Sequence, residues 1–112
     1  MKYSELVKGT LSTIILKLLA ENPRLYGYEI TQLVKERSNE KVLLKDGSLY
    51  PALHKLEADG LVQSEEVYIG KRIRKYYKLT TPGKKASKIY MEELNAFLKT
   101  IDMLLQPISP QT

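Results

Sequence analysis

With 112 residues, 43% of them apolar and 28% charged, the chain has the length and composition of one globular domain with a modest core, burying somewhat under ~70% of the surface its unfolded form exposes. It has no cysteine, which excludes disulfides, thiolate metal sites and thiol chemistry. No apolar run reaches the ~20 residues that cross a bilayer, because Lys17 interrupts the best candidate, and MKYSELVKGT lacks a signal-peptide core, so a cytoplasmic protein is expected. The net charge of +5 has one origin: Lys71 to Lys88 carries eight Lys/Arg and no acid, which leaves −3 for everything else. Basic charge confined to one segment is the electrostatic footprint of a phosphate-binding surface.

Leu11, Ile14, Ile15, Leu18 and Leu19 recur at helical spacing and predict a first long helix with one apolar stripe, broken by Asn22-Pro23. A second helix is expected from about Tyr26 to Ser38, with Ile30, Leu33 and Val34 inward and Glu29 in its first turn, where a carboxylate suits the helix dipole. Leu43 and Leu44 read as buried linker residues. The third helix carries Leu49, Leu53 and Leu56 on its core side but also contains Pro51, so it should begin within a turn of that proline, capped by Asp46 or Ser48. Gly60 sits where a left-handed residue would end it. Tyr50, Pro51, His54 and Lys55 are left on its outer side and front end.

From Leu61 to Leu79 the sequence turns to Val, Ile and Tyr, with Gly70-Lys71 as a two-residue hairpin turn. Alternation in the second strand puts Ile73, Tyr77 and Leu79 toward a core, and Arg72, Arg74, Tyr76 and Lys78 on the free face. The first strand alternates too poorly for its faces to be assigned. Thr80-Thr81-Pro82 is a hydroxyl cap followed by proline, and a helix can run from there to about Gln106, where Pro107 stops it. Tyr90, Leu94, Phe97, Ile101 and Leu104 follow at spacings of 4, 3, 4 and 3, an a/d seam. Such a helix, roughly 35 Å long, exceeds what a domain this small can cover, so the seam is expected to pack on a second copy of the chain. The organisation expected is therefore a DNA-binding unit over 1–81, a dimerisation helix over 82–106 and a disordered tail over 107–112.

This order of elements, mainly α with a small β-hairpin (α+β), is that of a winged helix-turn-helix with an appended dimerisation helix. The chain resembles the PadR family of transcriptional regulators, on KGTLSTIILKLL at 8–19, P-x-x-YGYEI at 23–30, GSLYPALHKLEADGLV at 47–62 and RKYYKLTTPG at 74–83. Its single C-terminal helix looks like the small subfamily. The resemblance implies a homodimeric repressor that releases its operator when a small-molecule effector or another signal intervenes. It departs from the commonest wing pattern at Ile73, where family members often carry another basic residue.

Recognition helices enter the major groove with their N-terminal half leading, which makes Ser48, Tyr50, Pro51, His54 and Lys55 candidates for base edges or adjacent phosphates in double-stranded DNA. Lys71, Arg72, Arg74, Lys75 and Tyr76 on the wing, with Tyr26 and Tyr28 at the start of the second helix, are candidates for the backbone. A two-fold dimer implies a palindromic operator. Tyr50 can equally be a core tyrosine that fixes the recognition helix, and Lys84, Lys85 and Lys88 read better as a solvated helix face. Tyr90 and Phe97 are simplest as seam packing, although an aromatic gap between subunits is also where a flat ligand would lie. His54 is the only histidine and has no second ligand at helical spacing; no metal and no cofactor are expected, and no Gly-rich phosphate loop, HExxH or Ser/His/Asp arrangement suggests an enzyme. The alternative function is a winged-helix module that binds protein or RNA without operator specificity.

Overall fold

The computed structural model describes residues 3–108; the end of the expected tail, 109–112, lies outside them. In chain order the elements are α1 (Tyr3–Val7), a 3-10 turn (Lys8–Thr10), α2 (Leu11–Glu21), β1 (Leu25–Tyr26), α3 (Gly27–Arg37), α4 (Asp46–Ala58), β2 (Val62–Ile69), β3 (Arg72–Leu79) and α5 (Thr81–Leu105). The three strands form one antiparallel sheet in the order β1-β3-β2. The fold is the expected α+β winged helix.

The first predicted long helix is α2, and it is buried more widely than its stripe suggested. Leu16, which lies off that stripe, is as inaccessible as Ile15, because α2 packs against α3, α4, α5 and β3 at once. A helix enclosed on several sides needs apolar residues around most of its circumference. α3 buries Ile30 and Val34, and its Glu29 carboxylate accepts from the Tyr26 N–H at 3.1 Å, closing the helix start as well as answering its dipole.

Several expectations are corrected. α4 begins at Asp46, five residues before Pro51, and its N-cap is Lys45, so neither Asp46 nor Ser48 caps it. The Ser48 and Leu49 N–H groups both bond the Lys45 carbonyl, and Pro51 forfeits only the next bond but one, to Gly47. Leu43 is 56% exposed; Val42 is buried in its place, its N–H held by the Ser38 hydroxyl at 2.9 Å. Tyr26, expected to open the second helix, forms β1 with Leu25, the two standing opposite Tyr76 and Tyr77.

In the hairpin, Val62 and Ser64 stand opposite Leu79 and Tyr77, which gives β2 the inward face that its sequence did not reveal. Ile73 was expected in the core and is 54% exposed. It pairs with Tyr68 near the hairpin tip, and Tyr68 and Ile69 are exposed with it. Gly60 and Gly70 have positive φ, as the end of α4 and the hairpin turn require. α5 buries Gly83, Ala86 and Ser87 in its first turns and then runs clear of the domain, stretching the molecule to 72 Å.

Tyr77 is 1% exposed and its hydroxyl has no hydrogen-bond partner among the described residues. Burial raises its pKa, and the charge of Glu57 and the neighbouring Tyr50 add to the rise. Because the folded protein then holds this proton more tightly than the unfolded chain, the stability it contributes is intact below the unfolded pKa of about 10 and is lost as pH rises through the folded value. Tyr77→Phe is expected to stabilise the protein by about 1 kcal/mol at neutral pH, since it deletes an unbonded buried hydroxyl, and to flatten the loss of stability above pH ~10. Denaturant unfolding across pH checks both; a destabilised variant would mean that the hydroxyl is bonded.

Candidate nucleic-acid interface

Register places Tyr26, Tyr76 and Glu65 in one row across the outer face of the sheet, and the cations beside that row interleave with its rings. The Arg24 guanidinium lies 4.1 Å over the Tyr76 ring and the Arg74 guanidinium 4.1 Å over the Tyr26 ring, while the two rings meet edge to face at 5.5 Å. Tyr28 extends the stack, 6.3 Å from Tyr26. Arg24 also donates to the Glu65 carboxylate at 2.7 Å, and Arg74 donates to the Tyr76 hydroxyl at 3.4 Å. That bond holds Arg74 still more firmly protonated than a free guanidinium. Stacking fixes the planes of both arginines, whose fork of donors suits phosphate.

Arg24 and its partner Glu65 were missed from the sequence. The signal for Arg24 was alternation: once β1 is drawn as a strand, Arg24 and Tyr26 fall on one face, opposite the core residue Leu25. In a sequence read as Asn-Pro followed by a helix, that pattern has only two residues to show itself.

The second part of the surface is the outer side of α4. Tyr50, Pro51, His54 and Lys55 are exposed and Ser48 is half-buried. Tyr50 is 37% exposed, and its hydroxyl and ring edge lie against Gly27, the hydroxyl 2.5 Å from where a Cβ would stand, so a glycine at the start of α3 lets it nest there.

A groove of about 490 Å³ joins the two parts. It is lined by Tyr26 and Gly27, by Tyr50 of α4, and by Ile69, Arg72, Ile73, Arg74 and Lys75 of the wing. The structure therefore brings Tyr26, Tyr50, Arg72, Arg74 and Lys75 together. Lys71 is exposed at the hairpin turn and Tyr28 is exposed on α3, while Ser48, Pro51, His54 and Lys55 follow along α4 outside the groove. Lys84, Lys85 and Lys88 are exposed on the first turns of α5.

The seam residues divide. Tyr90 packs against the domain's own core and Leu94 and Ile101 are half-buried, whereas Phe97 and Leu104 are largely exposed. Tyr90, Leu94 and Phe97 line a second groove of about 640 Å³ with Leu6, Thr10, Thr13, Lys55 and Leu56 of α4, and Asp59 just after it. Among the described residues no cluster of His, Asp and Glu suits a metal ion, and no helix is long and apolar enough to cross a membrane.

A three-stranded wing with an arginine-tyrosine ladder stands beside a helix with a free polar face, and comparison with known proteins gives the family. Residues 15–89 match the family model described as the transcriptional regulator PadR-like family. The chain belongs to the PadR-like family. A solved transcriptional regulator from Clostridium thermocellum superposes with a TM-score of 0.84 at 33% identity, covering 92% of this chain and 100% of that one. A PadR family transcriptional regulator from Eggerthella lenta gives a TM-score of 0.75 at 31% identity, over 93% of this chain and 88% of that one. An uncharacterized protein of Lysinibacillus sphaericus is 32% identical over 108 residues, 95% of this chain and 97% of its own. As a PadR-like protein the chain is a transcriptional regulator that binds DNA, and not an enzyme.

Proposed function

We propose that this PadR-like chain acts as a homodimeric repressor that recognises a palindromic operator and is released from it by a small molecule or another signal. The observation that carries the reading is the groove where wing and α4 meet. One wall is aromatic and cationic and suits the phosphate backbone; the other is Tyr50 of α4, and beyond it Ser48, Pro51, His54 and Lys55 along the same helix suit the major groove. Dimerisation is supported by the α5 face that one chain leaves bare, where Phe97 and Leu104 are exposed. The effector reading is supported by the second groove, because Tyr90 and Phe97 line it together with Lys55 of α4, so an occupant would touch the recognition helix. A cytoplasmic location follows from the proposed role.

The competing reading, a module that binds protein or RNA, is favoured by one feature. Tyr68, Ile69 and Ile73 make an exposed apolar wing tip, and protein-binding faces are aromatic and poor in charge at their centres. Arg72, Arg74 and Lys75 flank that tip, which favours DNA.

Two experiments test these points. Arg72→Ala with Arg74→Ala is expected to weaken binding to all DNA alike and to lower the slope of log affinity against log salt by about 0.9 for each phosphate no longer neutralised. An unchanged slope in a titration over several salt concentrations would remove the wing from the interface. Leu94→Asp with Ile101→Asp is expected to convert the dimer to monomers that hold an operator weakly; a stable dimer in sedimentation equilibrium would refute the seam.

A further inference from the structure

Three elements meet where α5 begins, and they are tied more tightly than a helix start requires. Only Thr80 separates β3 from α5. Its N–H donates to the Leu61 carbonyl at 3.1 Å, and its hydroxyl accepts from the Gly83 N–H at 3.0 Å while donating to the Gly60 carbonyl at 2.6 Å. Gly83 is buried, and a Cβ on it would overlap the Leu61 carbonyl oxygen, so the α5 backbone lies directly on the segment that ends α4. That segment is in turn anchored to α4 by the Leu61 N–H on the Leu56 carbonyl at 2.9 Å.

A helix cap needs an acceptor for a first-turn N–H, and the bond from Gly83 supplies it. The donation to Gly60 does nothing for α5. It joins α5 to the C-terminal end of the recognition helix, and it uses the one donor that a hydroxyl has.

We propose that Thr80 is a positioning residue for operator spacing: its hydroxyl locks the angle between the recognition helix and the dimerisation helix, and so sets the separation and twist of the two recognition helices in the dimer. This rests on the dimeric, operator-binding reading above. The geometry gives the junction leverage. α4 has 13 residues, about 20 Å at 1.5 Å per residue, so a pivot of roughly 10° at Gly60 moves its leading end by about 3.4 Å, the rise of one base pair. A joint looser than that would let the dimer accept operators with different spacings.

The substitution that isolates this role is Thr80→Asp. A carboxylate still caps α5 but cannot donate to Gly60. Thr80→Val removes both bonds without adding charge, and Thr80→Ser keeps both. The full-length protein would be titrated with a palindromic operator selected in vitro, with the same operator carrying one inserted base pair between its half-sites, and with a single half-site. One base pair turns the second half-site by about 35°. The wild-type protein and Thr80→Ser are expected to bind the inserted operator at least ~10-fold more weakly than the parent. Thr80→Asp and Thr80→Val are expected to narrow that ratio to about 3-fold or less, with single half-site affinity changed equally little in all four proteins. A merely structural threonine would lower the melting temperature and leave the ratio alone. Variants as spacing-selective as wild type would overturn the inference while leaving the dimeric reading intact. A wild-type protein indifferent to the insertion would overturn both.

Discussion

Enclosure of α2 is the constraint on which the rest of the molecule depends. A chain of this length can bury one helix on most of its sides, and Ile15, Leu16, Leu18 and Leu19 give α2 the apolar circumference to be that helix. Each such side chain is worth about 1.5–3 kcal/mol when removed from water. α3 and α4 pack on it, β3 packs beside them and brings the wing, and the first turns of α5 complete the enclosure. What α2 does not attract is left outside: the outer face of α4, the tip of the wing and the far half of α5. These are the three surfaces on which the proposed operator-binding dimer rests.

The wing is then stiffened by a second, surface-level device. Burial cannot hold the outer face of a three-stranded sheet that has only two residues in one strand. The ladder of Arg24, Tyr76, Tyr26 and Arg74 does so, locking cations by stacking and by the Glu65 carboxylate. Arginines ordered before they meet a phosphate lose less freedom when they bind it. The same residues thus serve the sheet and the proposed interface, which is why Tyr26 and Tyr76 sit at the junction of both.

What the sequence made legible is what periodicity and turn chemistry encode. The helices α2, α3 and α5, the Gly70 turn and the Gly60 stop follow from spacing and from residues suited to one backbone geometry, and the basic wing follows from charge. The errors have a common cause in tertiary reach. Ile73 alternates correctly with Tyr77, yet the hairpin outruns the helices that would bury it, and strand alternation cannot say where a core ends. Leu43 yields its place to Val42 through one hydroxyl of Ser38. β1 is too short to carry a period at all, so Arg24 was invisible although its neighbours in the stack were named. Tyr50 nests against Gly27, a close approach between α3 and α4 that spacing along one helix cannot show. The Thr80 junction was visible only as a cap, since the Gly60 carbonyl comes to it from 20 residues away.

The central claim is that wing and recognition helix together read a DNA sequence. Fluorescence anisotropy of the purified protein against the intergenic DNA upstream of its own coding sequence, beside a scrambled fragment of equal length, tests it most directly when run at low and near-physiological salt. Sequence recognition predicts that both fragments bind at low salt and that only the native one survives at the higher salt, by at least a thousandfold in affinity at the lower end of specific binding. Equal binding that vanishes for both as salt rises would contradict the claim and reduce the basic wing to a general polyanion patch.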